Sequence, residues 1–508
     1  MARHQHARFR ALLTVTTIHE PTTQHPASRL VRVAPYNPSP MLRALIAFLL
    51  ATSVAIAAAP QTPRSDHARF RELFKEMVET NTSLSGSCTA LAEKIAVHLK
   101  GAGYSASNIH LFSAPDHPKE GGIVAVLPGA NPRLKAILLL GHLDVVEAKR
   151  ADWTRDPYQF IEERGFFYGR GTADMKSQVA AWVDTMMRLK EEKFQNQRTI
   201  KMALTCGEET STAFNGAKWL SEKQRDLIDA EFALNEGGGG DNDDAGKPLL
   251  MEVQSAEKFP QNYTVAVTNP GGHSSRPVKK NAIYQLAAAL TKISQYRFPF
   301  ESNDITRTFF AKMAPQKGGE IGKAMAAFAS NPKDMKAAER VADDPDFNGL
   351  VHTTCVATLL SAGHANNALP QRAEANINCR IFPGTTPEQV RAKLVELVAD
   401  PDIMVTLTDH RSEVPKGPLP LNPKVFGPVE KLSAKYWPGI PVVPTMSAGA
   451  TDGAFLTPVG IPTYGVSGIF FDTDGNGAHG LNERVRVDSA YKGRDFLYDI
   501  VKVYANQM

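Results

Sequence analysis

The chain has 508 residues, 43% of them hydrophobic and 22% charged, a composition that excludes a collagen-like, coiled-coil or largely disordered protein. Four cysteines without a C-x-x-C pair exclude a disulfide-built scaffold and a zinc ribbon. The net charge of +4 misleads, because residues 1–59 hold six Arg against the single acid Glu20; the remaining body is close to neutral, which removes the case for nucleic-acid binding.

Residues 1–40 are acid-poor and carry several His and Pro, and they read as an over-long start or a presequence, with Met41 as the start. Met41-Leu-Arg43 is a short positive opening. An apolar run to Ile56 and small residues at Ala55-Ile56-Ala57 follow, the build of a secretory signal peptide over 41–59. The run is shorter than the ~20 residues of a membrane span, so a cleaved signal rather than an uncleaved anchor, and hence a periplasmic or secreted protein with no stable span after cleavage, is expected. Cys206, in an apolar run, reads as a buried thiol, and Cys355 and Cys379 would pair only if their strands lie suitably, so they are expected to stay unpaired.

Past a Pro-rich linker at 60–63, Phe70, Leu73, Phe74 and Met77 follow helical spacing, as do Leu91, Ile95, Val97 and Leu99 before Gly101. Short apolar runs at 123–127, 136–140, 202–205 and 232–234, with a helix over 175–190, read as strands of a sheet covered on both faces. This is the first part of an α/β catalytic domain, 60–260. Between 261 and 411 the order becomes β-α-β-β-α-β, the ferredoxin-like split arrangement, interrupted by a helical insert at 298–350. Residues 412–508 return to α/β. The expected fold is therefore a covered mixed sheet carrying an inserted ferredoxin-like α+β domain.

Chemistry-bearing residues stand at the ends of these runs. His142-Leu-Asp144 follows the 136–140 run, Asp174 precedes the 175–190 helix, Glu208-Glu209 follow 202–205, and Glu236 follows 232–234 ahead of four glycines. His479 lies in a Gly-rich loop. Ligand crevices open at the carboxyl ends of strands in α/β sheets, so these side chains are expected to converge. Taken singly, His-x-Asp is a surface or capping pair, Asp174 a helix cap and Glu208-Glu209 a solvated pair. Together, two imidazoles and several carboxylates suit zinc, or else cobalt or manganese. Two divalent ions are balanced by Asp174, Glu209, Glu236 and one hydroxide, a set that a dry crevice tolerates far better than unpaired acids.

At these positions the sequence resembles the di-zinc exopeptidase and aminoacylase family, which includes glutamate carboxypeptidase, carboxypeptidase S, aminoacylase and succinyl-diaminopimelate desuccinylase. The matching stretches are Gly141-His-Leu-Asp-Val145, Gly169-Arg-Gly-Thr-Ala-Asp-Met-Lys176, Gly207-Glu-Glu209, Asn235-Glu-Gly-Gly238, Gly271-Gly-His-Ser-Ser275 and Asn367-Ala-Leu-Pro370 through Arg380. The 298–350 insert is most similar to the carboxypeptidase S and N-acyl amino acid hydrolase branch. The resemblance implies two Zn²⁺, one held by His142, Asp174 and Glu236, the other by Asp174, Glu209 and His479. It implies Glu208 as general base and Asp144 as the group that fixes the His142 ring through its other nitrogen. It also makes the inserted domain a lid that supports a homodimer, with His273, Asn367, Arg380 and Thr451 at the substrate. One departure is Ser447-Ala-Gly-Ala-Thr451-Asp452, where relatives carry Gly-Gly-Thr-Asp.

The expected activity is hydrolysis of an amide bond next to a free carboxylate, on a small peptide or an N-acyl amino acid. Two rivals are an amidohydrolase of ureide-type substrates with the same metal chemistry and a metal-free binding protein on the same scaffold.

Overall fold

The computed structural model describes residues 65–209, 214–408 and 417–508; the expected presequence, the signal segment and the junction near 412 lie outside the described residues. Two amphipathic helices, Ser65–Glu79 (α1) and Cys88–Gly101 (α2), precede the strands Ile109–Ala114 (β1), His117–Leu127 (β2) and Ile137–His142 (β3). The helix Lys176–Glu191 (α3) and the strands Ile200–Thr205 (β4), Phe232–Asn235 (β5), Gly239–Asn242 (β6) and Pro248–Glu257 (β7) follow. Strand β3 runs parallel to both β4 and β5 and lies between them. Its residues alternate between two cores: Ile137 and Leu139 pack with α1, α2 and α3, while Leu138 and Leu140 pack on the opposite face with Ala217, Leu220 and Leu456. Cover on both faces explains why the strand reads as a continuous apolar run. Helix α3 is buried nearly all round, and its Trp182 indole donates a hydrogen bond to the Leu140 carbonyl.

The strands Phe259–Thr268 (β8), Thr354–Ala362 (β9), Arg372–Ile381 (β10) and Ile403–Leu407 (β11) form a separate four-stranded antiparallel sheet in the order β9-β10-β8-β11. Its apolar face is covered by Ala282–Gln295 (α4), and by Pro387–Val398, which Thr386 and Gln389 open with a reciprocal capping box. This is the ferredoxin-like order. Between α4 and β9 comes the insert: Asp304–Lys317 (α5), Gly319–Ser330 (α6), Met335–Ala342 (α7) and Pro345–Asn348 (α8). Sequence order puts it within the lid segment, yet its core of Phe309, Phe310, Met325, Phe328 and Phe347 closes on Leu250 of β7 and on Val443. The insert thus stacks on the large sheet. Val442–Ser447 (β12) pairs in parallel with β7, Thr463–Gly465 (β13) joins β5 to β7, and Phe470–Phe471 (β14) pairs in parallel with β6, bringing the large mixed sheet to ten strands.

The cysteines differ from expectation. Cys206, at the end of β4, is joined to Cys88 at the start of α2, and Cys355 is joined to Cys379, its direct partner in the β9–β10 register. The first pairing spans 118 residues and has no local signal, and the second follows from the register that sets Cys355 opposite Cys379.

Candidate active site

Parallel packing of β4, β3 and β5 sets three strand ends side by side, and each delivers a donor. His142 closes β3, Glu208 and Glu209 follow β4 and Glu236 follows β5. After β4 the chain turns at Gly207, whose φ of +92° and contact with the Phe214 carbonyl leave no room for a side chain. Asp174 lies just ahead of α3, and His479 comes from the loop before the final helix.

The two oxygens of Asp174 face different groups. Oδ1 lies 3.2 Å from His142 Nε2, which is also 3.3 Å from Glu236 Oε2. Oδ2 lies 3.0 Å from His479 Nε2, which is 2.6 Å from Glu209 Oε1. Each triad brings its donor atoms within 4.8 Å of one another, and Asp174 belongs to both. His142, Glu208 and Glu209 form a third such group, so Glu208 borders the pair of triads. The donor types and the shared carboxylate fit two divalent cations.

Electrostatics give the same picture. Burial works against a charged His142, but Glu236 and Asp174 outweigh it and raise the imidazole well above its ordinary pKa. Against its own burial, Asp174 is held well below the carboxylate range by His142 and His479. Hydrogen bonds to Asp174 and Glu209 raise His479 to about 10. Burial, then the Glu236 charge, pushes Glu208 up to about 10, and burial pushes Glu236 up to about 7. Without another source of positive charge, this crevice is neutralised by protons. Divalent cations would serve the same acids in ionised form.

Asp144 acts differently from the expectation. The ring nitrogen Nδ1 of His142 meets the main-chain carbonyl of Asp144 at 2.9 Å, whereas the carboxylate is 3.8 Å away. That carboxylate instead accepts the main-chain amides of Glu209 at 2.9 Å and Glu208 at 3.4 Å. One residue therefore orients the ring with its backbone and the glutamate pair with its side chain.

Two buried acids were not singled out by sequence. Asp452 accepts from the Thr205 hydroxyl and the Asn215 amide, both at 2.7 Å. Glu483 accepts the amides of Gly171, Ala173 and Asp174 and pairs with Arg170 at 2.7 Å. Glu483 stands four residues after His479, and an acid so near a donor was the only available signal.

Of the four residues expected at the substrate, only His273 and Asn367 are brought together, where Gly272–His273 pairs with Ala368–Leu369 and the Ser274 amide bonds the Asn367 carbonyl. Arg380, on β10 opposite Pro260 and Thr354, lies within electrostatic reach of buried Lys258. Thr451 donates its amide and hydroxyl to Glu257 at 3.1 and 3.0 Å.

A shared-carboxylate pair of donor triads at the strand ends of a covered α/β sheet, beside an inserted ferredoxin-like domain, defines a hydrolase of the metallo-exopeptidase class. Residues 138–503 match the profile described as Peptidase family M20/M25/M40, and the chain belongs to that family. It is 27% identical over 386 residues to the N-fatty-acyl-amino acid synthase/hydrolase PM20D1 of Homo sapiens, covering 74% of this chain and 75% of that protein. It is 26% identical over 396 residues to a probable carboxypeptidase S-like 2 of Dictyostelium discoideum, covering 74% and 72%. Among solved structures, an M20 family metallo-carboxypeptidase, Sso-CP2, from Sulfolobus solfataricus shares the fold with a TM-score of 0.64 at 19% identity, covering 86% of this chain and 99% of that one.

Proposed function

We propose that this family hydrolase is an exported, zinc-dependent enzyme that cleaves an amide bond adjacent to a free carboxylate, in a small peptide or an N-acyl amino acid. The observation that carries the reading is Asp174, whose two oxygens face His142 with Glu236 on one side and His479 with Glu209 on the other. His142, Asp174 and Glu236 would hold one cation, and Asp174, Glu209 and His479 the second. Two such ions, when bound, supply Lewis acidity and a water of lowered pKa. Cobalt or manganese fits the same donors.

Glu208 borders both triads without a close imidazole partner of the kind that Glu209 has in His479. It takes the proton of the attacking water on its carboxylate and returns it to the departing amine. Asp144 keeps that carboxylate in place by holding the Glu208 and Glu209 amides. Arg380 pairs with the substrate carboxylate through its planar fork, while His273 addresses the scissile carbonyl, Asn367 contacts the substrate and Thr451 lines the site.

A homodimer through the lid is supported by β9, an edge strand of the four-stranded sheet that exposes Leu359 and Leu360 at 70% and 66%. Export is supported by the two disulfides, which persist in oxidising compartments. Among the described residues no helix is long and apolar enough to cross a membrane.

The test is metal analysis of the purified chain together with hydrolysis of N-acyl amino acids, dipeptides and ureides by the zinc-loaded protein. Two metals per chain and turnover of the first or second class are expected. Turnover of ureides alone would transfer the reading to the ureide rival.

A further inference from the structure

The helical insert and the large sheet line an open cleft of about 660 Å³ whose rim includes Gly238 and Gly475, two residues after Glu236 and four before His479. Its size falls among small-molecule sites, which run roughly 300–1,000 Å³. On β7, alternate residues face the insert: Leu250 closes the insert core, then come Glu252 and Gln254. Gln254 lies directly under Gly237, where a Cβ would meet its side-chain oxygen at 2.3 Å, so it marks the end nearest Glu236. Glu252 is one pleat repeat deeper, roughly 7 Å along the strand.

The walls and the floor differ in chemistry. Phe309, Met313, Phe347 and Leu350 come from the insert and Met446 from β12. Glu252 has no hydrogen-bond or ion-pair partner among the described residues, and Asp241 and Asp346 stand exposed around it. The one lysine of the lining, Lys317, lies near Asp241 and over the Phe347 ring. Burial, reinforced by Asp241, pushes the Glu252 carboxyl up to about 8, the signature of an acid with no positive charge to meet. A purely aliphatic chain in this space would leave Glu252 and Gln254 facing carbon without compensation. A long stem ending in a cation meets both surfaces: methylenes against the aromatic wall, charge against the acid.

We propose that this cavity is a specificity pocket for a basic side chain of the substrate, lysine- or arginine-like, with Glu252 as the carboxylate that receives its charged end. The proposal rests on the amide-hydrolase reading for the placing of the scissile bond, but the pocket itself is read from its lining.

Two measurements test it. In the first, the zinc-loaded chain is given matched substrates, Nα-acetyl-lysine against Nα-acetyl-norleucine and lysyl- against norleucyl-dipeptides, with a long-chain N-acyl amino acid alongside. A kcat/KM at least about tenfold higher for the basic member of one pair is expected, and E252Q should collapse that ratio towards one, mainly through KM. Equal rates in both pairs, a ratio that survives in E252Q, or a preference for the long acyl chain would overturn the pocket. In the second, calorimetric titration of the same protein with L-lysine and L-norleucine reads the pocket without turnover. Lysine binding about tenfold tighter is expected, and equal binding would overturn the proposal. The wild-type comparisons need no variant to fold. If no amide is cleaved while lysine still binds selectively, the amide reading fails and the pocket stands.

Discussion

The carboxylate of Glu483 accepts the main-chain amide of Asp174 at 3.0 Å, so the residue facing both donor triads is presented by a turn moulded around a second, buried acid. The same carboxylate binds the amides of Gly171 and Ala173 and neutralises Arg170. Removing it in Glu483→Ala strands a buried guanidinium, which costs about 3–5 kcal/mol. Thermal unfolding should report that loss, and metal analysis should find fewer than two ions per chain. A variant that keeps full metal content and stability would show that the turn holds its shape without the acid.

Glu208→Gln preserves the shape of the side chain but removes its capacity to take a proton. Activity should fall by about 10²–10⁴ with metal content intact. Loss of a metal ion in this variant would instead place Glu208 among the ligands, a role its position near His142 and Glu209 also permits.

Asp144→Asn replaces an oxygen that accepts the Glu209 or Glu208 amide with an NH₂ group that donates. The glutamate pair should shift, and activity should drop by about 10–100-fold while His142, oriented by the backbone carbonyl, still binds metal. Paired rate and metal measurements check this directly.

The pH dependence of metal-free stability has a definite sign. Glu208 and Glu236 titrate at about 10 and about 7 in the fold, against 4.5 for ordinary glutamate. Their stabilising contribution is full below about pH 4.5 and is lost as pH rises through those values; His479, raised from 6.5 to about 10, adds in the same direction. Metal binding runs the other way, because the ligands must shed protons first. The rise in Tm on adding zinc should therefore grow from about pH 5 to about pH 8, as scanning calorimetry would show. A rise that is flat or shrinks with pH would contradict this account.

The Cys88–Cys206 bond anchors α2 to the residue just before Gly207 and the glutamate pair. Cys88→Ser should lower stability by about 2–5 kcal/mol and reduce activity more than the corresponding change at Cys355, which lies on the lid. Denaturant titration and rate assays of the two variants compare them.

Much of the architecture was readable because its signals are local. Apolar runs and helical spacing outlined the covered sheet, and the order of elements after residue 260 foretold the four-stranded lid sheet. The insert was less legible: its amphipathic helices declared that they would bury one face, but not against Leu250 and Val443. Asp144 shows the same limit, since the resemblance assigned it the His142 ring, and only the fold shows that its backbone carbonyl makes that contact.

Chain order alone was enough to set His142, the Glu208–Glu209 pair and Glu236 at strand termini, because strand ends are marked by composition within a few residues. Only the three-dimensional arrangement decided that Asp174 divides its oxygens between two imidazoles, that Glu483 shapes its turn and that Cys88 finds Cys206. Those contacts join residues separated by more than a hundred positions, apart from the 32 between His142 and Asp174, and packing rather than local preference selects them.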